Sequence, residues 1–228
     1  MTDTPILACV FDAYGTLFDV HASTRHRQAE LGPQAGSVSQ LWRAKQLEYS
    51  WLTTIMGRYR DFWQLTGDAL DYALEYHGID DPELRAGLLD AYLHLDPYPE
   101  VRATLTELHR SGITCAILSN GSPMMLDAAV RSAGVTDLLS PVISVDELHR
   151  FKPDPSVYRL AADRLGVDPP SILFLSSNAW DAIGAASFGF EVAWVNRSGQ
   201  PAERLPCQPH HQIPDLASVV DLLRDRHR

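Results

Sequence analysis

Cysteine is scarce. The 228 residues hold three, an odd number that cannot all pair, and Cys9 and Cys115 fall inside apolar runs where a thiol acts as a small hydrophobe. A disulfide framework is excluded, and a reducing, cytoplasmic setting is expected. Cationic excess is missing too. Formal net charge is -10, so polyanions are repelled over most of the surface and nucleic acid is not an expected partner. No apolar run is long enough to span a bilayer. Met1 to Pro5 is polar, with no basic segment before an apolar one, so no leader is expected and neither is a membrane partner. The nine histidines show no ligand spacing, and His210-His211 lies in a Pro-rich stretch that reads as a solvated loop. There is no internal repeat and no low-complexity tract.

What is present is apolar residue in quantity, 45% of the chain, enough for a substantial core. Five short runs read as strands: Ile6–Phe11, Ile113–Leu118, Val142–Val145, Ile172–Leu175 and Val192–Val195. Strands without polar alternation, separated by helical patterns, indicate a parallel sheet covered on both faces. The fold class is therefore α/β with a Rossmann-like parallel core. Helix starts are marked at Ser122-Pro123 and Asp154-Pro155, and Asn178 with Asp181 has the spacing of a capping box. From 19 to 95 the alternation stops. Leu41, Leu47, Trp51, Leu52 and Ile55 recur at helical spacing, which predicts an all-helical insert after the first strand. Asp96-Pro97-Tyr98-Pro99 reads as the return linker. The expected division is core 1–18, helical cap 19–95 and core 96–228.

Ligands of open α/β sheets bind beyond the carboxyl ends of the strands. Four polar clusters fall there: Asp12 with Thr16; Ser119-Asn120; Lys152; and Ser176, Ser177, Asn178 and Asp181. Each alone could merely cap a helix. Together they predict one site.

Those clusters lie in Val10-Phe11-Asp12-Ala13-Tyr14-Gly15-Thr16-Leu17, Leu118-Ser119-Asn120-Gly121, Phe151-Lys152-Pro153 and Ser176-Ser177-Asn178-Ala179-Trp180-Asp181, and the insert adds Leu41-Trp42-Arg43-Ala44-Lys45-Gln46-Leu47-Glu48-Tyr49. With these motifs the chain resembles the haloacid dehalogenase superfamily and, within it, the L-2-haloacid dehalogenases, over nearly its whole length. The resemblance implies hydrolysis of small (S)-2-haloacids to (R)-2-hydroxyacids and halide, through an ester on Asp12. It implies that Arg43 receives the halide, that Ser119 and Asn120 bind the substrate carboxylate, and that Thr16, Ser176 and Asn178 serve the nucleophile. Asp181 would hold Lys152 or help activate water. Tyr14, Leu47, Phe62, Trp180 and Tyr158 would line the substrate pocket, and the enzyme would be a homodimer.

Two positions depart from the phosphatases of the superfamily. Tyr14 stands where they carry a second Asp, and Ser177 where they carry an acidic metal ligand. A hard Mg²⁺ prefers carboxylates, so no metal and no cofactor is expected. A Mg-dependent phosphatase and a non-catalytic carboxylate binder remain the alternatives. Bland roles also remain open: Arg43 as a solvated helix charge, Leu47 and Phe62 as insert core, Tyr158 as packing, Asp181 as a capping residue and Ser119 as a turn residue.

Overall fold

Four apolar residues in a row form the first strand, β1 (Ala8–Phe11), and all are buried. The structure, a computed structural model, describes residues 4–225; the reading of the first three residues of the N-terminal stretch lies outside the described residues. β2 (Thr114–Ser119) and β3 (Val142–Ser144) lie to one side of β1, and β4 (Ile172–Ser176), β5 (Glu191–Val195) and β6 (His211–Ile213) to the other. The order is β3-β2-β1-β4-β5-β6, and every pairing is parallel. β4 and β5 are buried along their whole length, like β1. The five expected strands are present, shifted by one or two residues at their ends. Both edge strands are three residues long, which leaves little unpaired backbone for stray association.

β6 corrects the sequence reading in part: His210 is exposed in the bend before the strand, but His211 does not lie in a solvated loop. His211 opens β6, and its Nε2 lies 2.7 Å from Glu191 Oε1; His210 Nδ1 accepts from the Val192 amide at 3.1 Å. A three-residue strand flanked by prolines is too short to show a period-two pattern.

Between β1 and β2 the chain forms α1 (Ala22–His26), α2 (Gln28–Leu31), α3 (Ala35–Ile55), α4 (Phe62–Tyr76), α5 (Pro82–Leu93) and α6 (Val101–Arg110). Asp61 caps α4 through the Gln64 amide, and Asp81 caps α5 through the Glu83 and Leu84 amides. The buried stripe of α3 is not the aliphatic one. It runs Ala35, Val38, Ser39, Trp42, Gln46, Ser50, Thr53, while Leu52 and Ile55 are exposed. The strands of the chain that leave and re-enter the sheet layer clasp each other: Asp19 N donates to Asp96 O at 2.9 Å and Tyr98 N to Leu17 O at 3.0 Å.

The sheet's remaining helices are α7 (Pro123–Ser132), α8 (Pro155–Leu165), α9 (Ala179–Phe188) and α10 (Ser218–Asp225). Asp154 caps α8 as its sequence suggests. The capping box expected at α9 is not built. Asn178 occupies the N-cap position without a side-chain cap bond, because its amide and the Asp181 carboxylate both turn toward the crevice above the sheet. Among the described residues no helix is long and apolar enough to cross a membrane.

Candidate active site

The order of the sheet reverses at β1, which is flanked by β2 on one side and β4 on the other. A crevice opens at such a point because the connections leave in opposite directions. Asp12 stands at its rim: its amide donates to Leu175 O at 2.9 Å, the last rung between β1 and β4. Gly15, with φ +93°, turns the chain away, and this brings Thr16 back beneath the carboxylate.

Every proton around Asp12 has one assignment. Thr16 Oγ1 accepts from Ser177 N at 2.8 Å, so its single proton goes to Asp12 Oδ2 at 2.9 Å. Asn178 Nδ2 donates to the same oxygen at 2.9 Å and to Tyr14 O at 3.2 Å. Lys152 Nζ lies 3.0 Å from Asp12 Oδ1 and 2.9 Å from Asp181 Oδ2. Tyr158 OH donates to Asp181 Oδ1 at 2.9 Å. Lys152 is 1% exposed and Asp181 0%. Burial alone would lower the Lys152 pKa, but the carboxylates of Asp12 and Asp181 prevail and raise it, so it stays an ammonium. Burial pushes the Asp181 carboxyl up to about 6, against the pull of Lys152 and with help from the Asp12 charge. Burial, with Asp181 beside it, also holds the Tyr158 phenol well above its ordinary range, so it acts as a donor.

Two carboxylates and one ammonium leave a buried excess of negative charge, which is unfavourable in a low-dielectric site. Arg43 supplies the balancing cation from α3. Its Nη2 donates to Tyr14 O at 3.1 Å and to Asn178 Oδ1 at 3.2 Å, so it reaches across to the sheet side rather than into solvent. Asn178 thus links Arg43 to Asp12, and its amide orientation is set by a cation on one end and a carboxylate on the other.

The structure gathers Asp12, Thr16, Arg43, Lys152, Asn178, Asp181 and Tyr158 into one hydrogen-bonded cluster. It places Ser119, Asn120 and Ser176 beside that cluster as loop braces. Ser119 Oγ accepts from Gly121 N at 3.1 Å, Asn120 Oδ1 from Lys152 N at 3.0 Å, and Ser176 Oγ from Asn178 N at 3.2 Å. None of the three hydrogen-bonds Asp12. The Tyr14 ring covers Gly121 so closely that a Cβ there would meet Tyr14 Cε2 at 2.6 Å. Phe62 is buried, its ring 6.2 Å from Tyr14 and 5.7 Å from Phe151. Trp180 meets Trp51 edge-on at 5.3 Å. A cleft of about 410 Å³, lined by Trp51, Ile55, Phe151, Lys152 and Trp180 among others, runs between α3 and the sheet-side loops. Leu47 is half-buried and stands outside the core cluster.

Sequence reasoning missed Gln46, which accepts from the Arg43 guanidinium, and Thr66 and Tyr92, which hydrogen-bond Gln46 in turn. The signal was present: Val38, Trp42, Gln46, Ser50 and Thr53 keep helical spacing, but polar members hide the stripe from a search for apolar periodicity. Among the described residues no group of three or more His, Cys, Asp or Glu could hold a metal ion.

A family model for haloacid dehalogenase-like hydrolases matches residues 6–189. Over 220 residues the chain is 49% identical to (S)-2-haloacid dehalogenase 1 of Pseudomonas sp. (strain CBS-3), covering 96% of this chain and 97% of that one. It superposes with a TM-score of 0.95 on a crystal structure of a dehalogenase with an intermediate complex, at 44% identity over 96% of this chain and 98% of the other. The L-2-haloacid dehalogenase of Xanthobacter autotrophicus with chloropropionic acid covalently bound gives a TM-score of 0.90, at 41% identity over 96% and 98% of the two chains. The chain therefore belongs to the haloacid dehalogenase-like hydrolases, in the branch of the (S)-2-haloacid dehalogenases.

Proposed function

We propose that this enzyme hydrolyses small (S)-2-haloacids to (R)-2-hydroxyacids and halide, with Asp12 as a covalent nucleophile. The observation that carries this reading is the Asp12 carboxylate, held by Thr16, Asn178 and Lys152 at the crevice, with Arg43 reaching in from α3. A carboxylate oxygen of Asp12 attacks C2, an ester bond forms, and the carbon–halogen bond breaks with its electron pair leaving on the halide. In-line attack inverts C2. Arg43 receives the halide, because a guanidinium keeps its charge when buried and offers several donors. Water then adds to the Asp12 carboxyl carbon, and the hydroxyacid leaves with the original Asp12 oxygen. Asp181 holds Lys152 and is the group beside the ester able to take a proton near neutral pH. Ser119 and Asn120 meet the substrate carboxylate; Tyr14, Leu47, Phe62, Trp180 and Tyr158 wall the pocket, and Ser176 shapes the turn that presents Asn178.

Neither step needs a metal. Halide leaves as a stable anion without a proton, so the general acid lost at Tyr14 is not missed, and Ser177 stands where a phosphatase carries an acidic ligand for Mg²⁺. We take 19–95 as a cap over core segments 1–18 and 96–228. Cross-links from α3 and its C-terminal loop support this: Phe151 N donates to Thr54 Oγ1 at 3.0 Å and Tyr59 OH to Asp146 Oδ1 at 2.5 Å. A homodimer is favoured by the large apolar side chains that α3, α4 and the turn after α3 leave exposed, Leu52, Ile55, Met56, Tyr72 and Tyr76, since surface of this kind suits a second copy. Buried thiols at Cys9 and Cys115 with no disulfide suit a cytoplasmic enzyme. The test is halide release from both enantiomers of 2-chloropropionate after exhaustive chelation. Turnover of the (S) form alone, unaffected by chelation, is expected. Turnover that requires Mg²⁺, or hydrolysis of phosphomonoesters in its place, would refute the reading.

A further inference from the structure

Arg43 is aimed by another residue. Its Nη1 donates to Gln46 Oε1 at 2.7 Å, one turn along α3. Gln46 is 0% exposed, and its amide orientation follows from the protons around it. Thr66 Oγ1 gives its single proton to Phe62 O at 2.6 Å, so toward Gln46 it can only accept. That fixes Gln46 Nε2 against Thr66 at 2.7 Å and turns Oε1 toward Arg43. The same Oε1 accepts from Tyr92 OH at 3.1 Å. The Tyr92 ring in turn stacks on Tyr14 at 5.7 Å and packs against Trp42 at 5.0 Å, and Trp42 Nε1 donates to Thr66 O at 2.9 Å. Helices α3, α4 and α5 thus converge on one amide oxygen, and that oxygen holds one arm of the guanidinium.

We propose that Gln46 is a positioning residue for Arg43: a neutral, buried acceptor that aims the guanidinium at the reacting pocket without cancelling its charge. This deepens the reading of Arg43 as the receiver of the departing halide and rests on it. The chemistry explains why an amide suits the position. A carboxylate of the same shape would pair with Arg43 and weaken its hold on an anion. An apolar side chain would leave Arg43 Nη1, Tyr92 OH and Thr66 Oγ1 without their shared partner. A misaimed donor is costly to a reaction that needs it only at the transition state.

The experiment compares Gln46→Met, Gln46→Glu, Arg43→Lys and the double variant Gln46→Met/Arg43→Lys, in the full-length enzyme. The readouts are kcat and KM for (S)-2-chloropropionate, chloride product inhibition and the thermal midpoint. Gln46→Met is expected to lose roughly 10- to 100-fold in kcat with little change in KM. Gln46→Glu is expected to fall comparably and to bind chloride at least several-fold more weakly. The discriminating result is coupling: Gln46→Met should cost nothing further once Arg43 is Lys. Should Gln46→Met fail to fold, Thr66→Val, which removes only the hydroxyl that orients the amide, carries the same prediction at several-fold size, again vanishing in the Arg43→Lys background. Penalties that add in full across the two positions, or a Gln46→Met enzyme as fast as its parent beside a slow Arg43→Lys, overturn the positioning role alone. An Arg43→Lys enzyme with full turnover overturns the reading of Arg43 itself, and this inference with it.

Discussion

Lys152→Met isolates the electrostatics of the site from its packing. Methionine nearly matches the lysine stem in length, so the void left in this 1%-exposed position is small. What disappears is the ammonium 3.0 Å from Asp12 and 2.9 Å from Asp181. Removing one partner of a buried ion pair costs about 3–5 kcal/mol, because the remaining charge stays uncompensated. Here two carboxylates are stranded together, so the upper part of that range is expected. For a chain of this size it corresponds to a fall in Tm of roughly 8–20 °C at pH 7. The sign of the pH dependence follows. Stranded carboxyls have raised pKa values in the folded state, so the folded variant binds more protons than its unfolded chain, and its stability recovers as pH falls. The gap to the parent enzyme should therefore narrow between pH 7 and pH 5. Asp181→Asn added to Lys152→Met removes one stranded charge and should restore a large part of the lost stability, without activity. Calorimetric melting at the two pH values reads all of this. A Lys152→Met enzyme melting within 1 °C of its parent at pH 7, or a double variant with no recovery, would refute the argument.

Arg43→Ala should lower kcat roughly 10²–10³-fold, the effect expected for loss of one preorganised donor to a developing anion; circular dichroism should show an unchanged fold, and near-parental halide release would return Arg43 to a surface charge. With its carboxyl pushed up to about 6, Asp181 should give kcat an acid limb near that pH, activity falling as it takes up a proton. Asp181→Asn should abolish the limb in whatever activity remains, and a limb unchanged in that variant would assign it elsewhere. Gly184→Ala should disturb the same group at a distance, since a Cβ there would meet Tyr158 OH at 2.5 Å and Pro153 Cβ at 2.8 Å. A loss of stability with a shifted acid limb is expected, and parental behaviour in both would show that Tyr158 has room to move.

Much of this was legible in the sequence because the features were local. Strands β1, β4 and β5 each hold four apolar residues in a row, so their burial on both faces could be read from composition alone. Asp12, Thr16, Lys152 and Asn178 follow strand ends, and the parallel topology brings all such ends to one edge. The misses have physical causes. β6 is too short to carry a period, and its pairing partner β5 is chosen by tertiary packing. At α9 the spacing of Asn178 and Asp181 matched a capping box, but the stronger partners across the crevice, Asp12 and Lys152, captured both side chains. The buried stripe of α3 contains Gln46, Ser50 and Thr53. Polar residues inside a helical insert are satisfied by partners on other helices, such as Thr66 and Tyr92, and no local pattern announces them.

The central claim is that Asp12 becomes an ester and that its own oxygen leaves in the product. Single turnover in H₂¹⁸O, with enzyme in excess over (S)-2-chloropropionate, tests it directly. Mass spectrometry of the peptide containing Asp12 should find one ¹⁸O in its carboxylate, while the lactate hydroxyl carries none. Label appearing in the hydroxyl after the first turnover, with Asp12 unlabelled, would mean that water attacks C2 itself and that Asp12 is a general base.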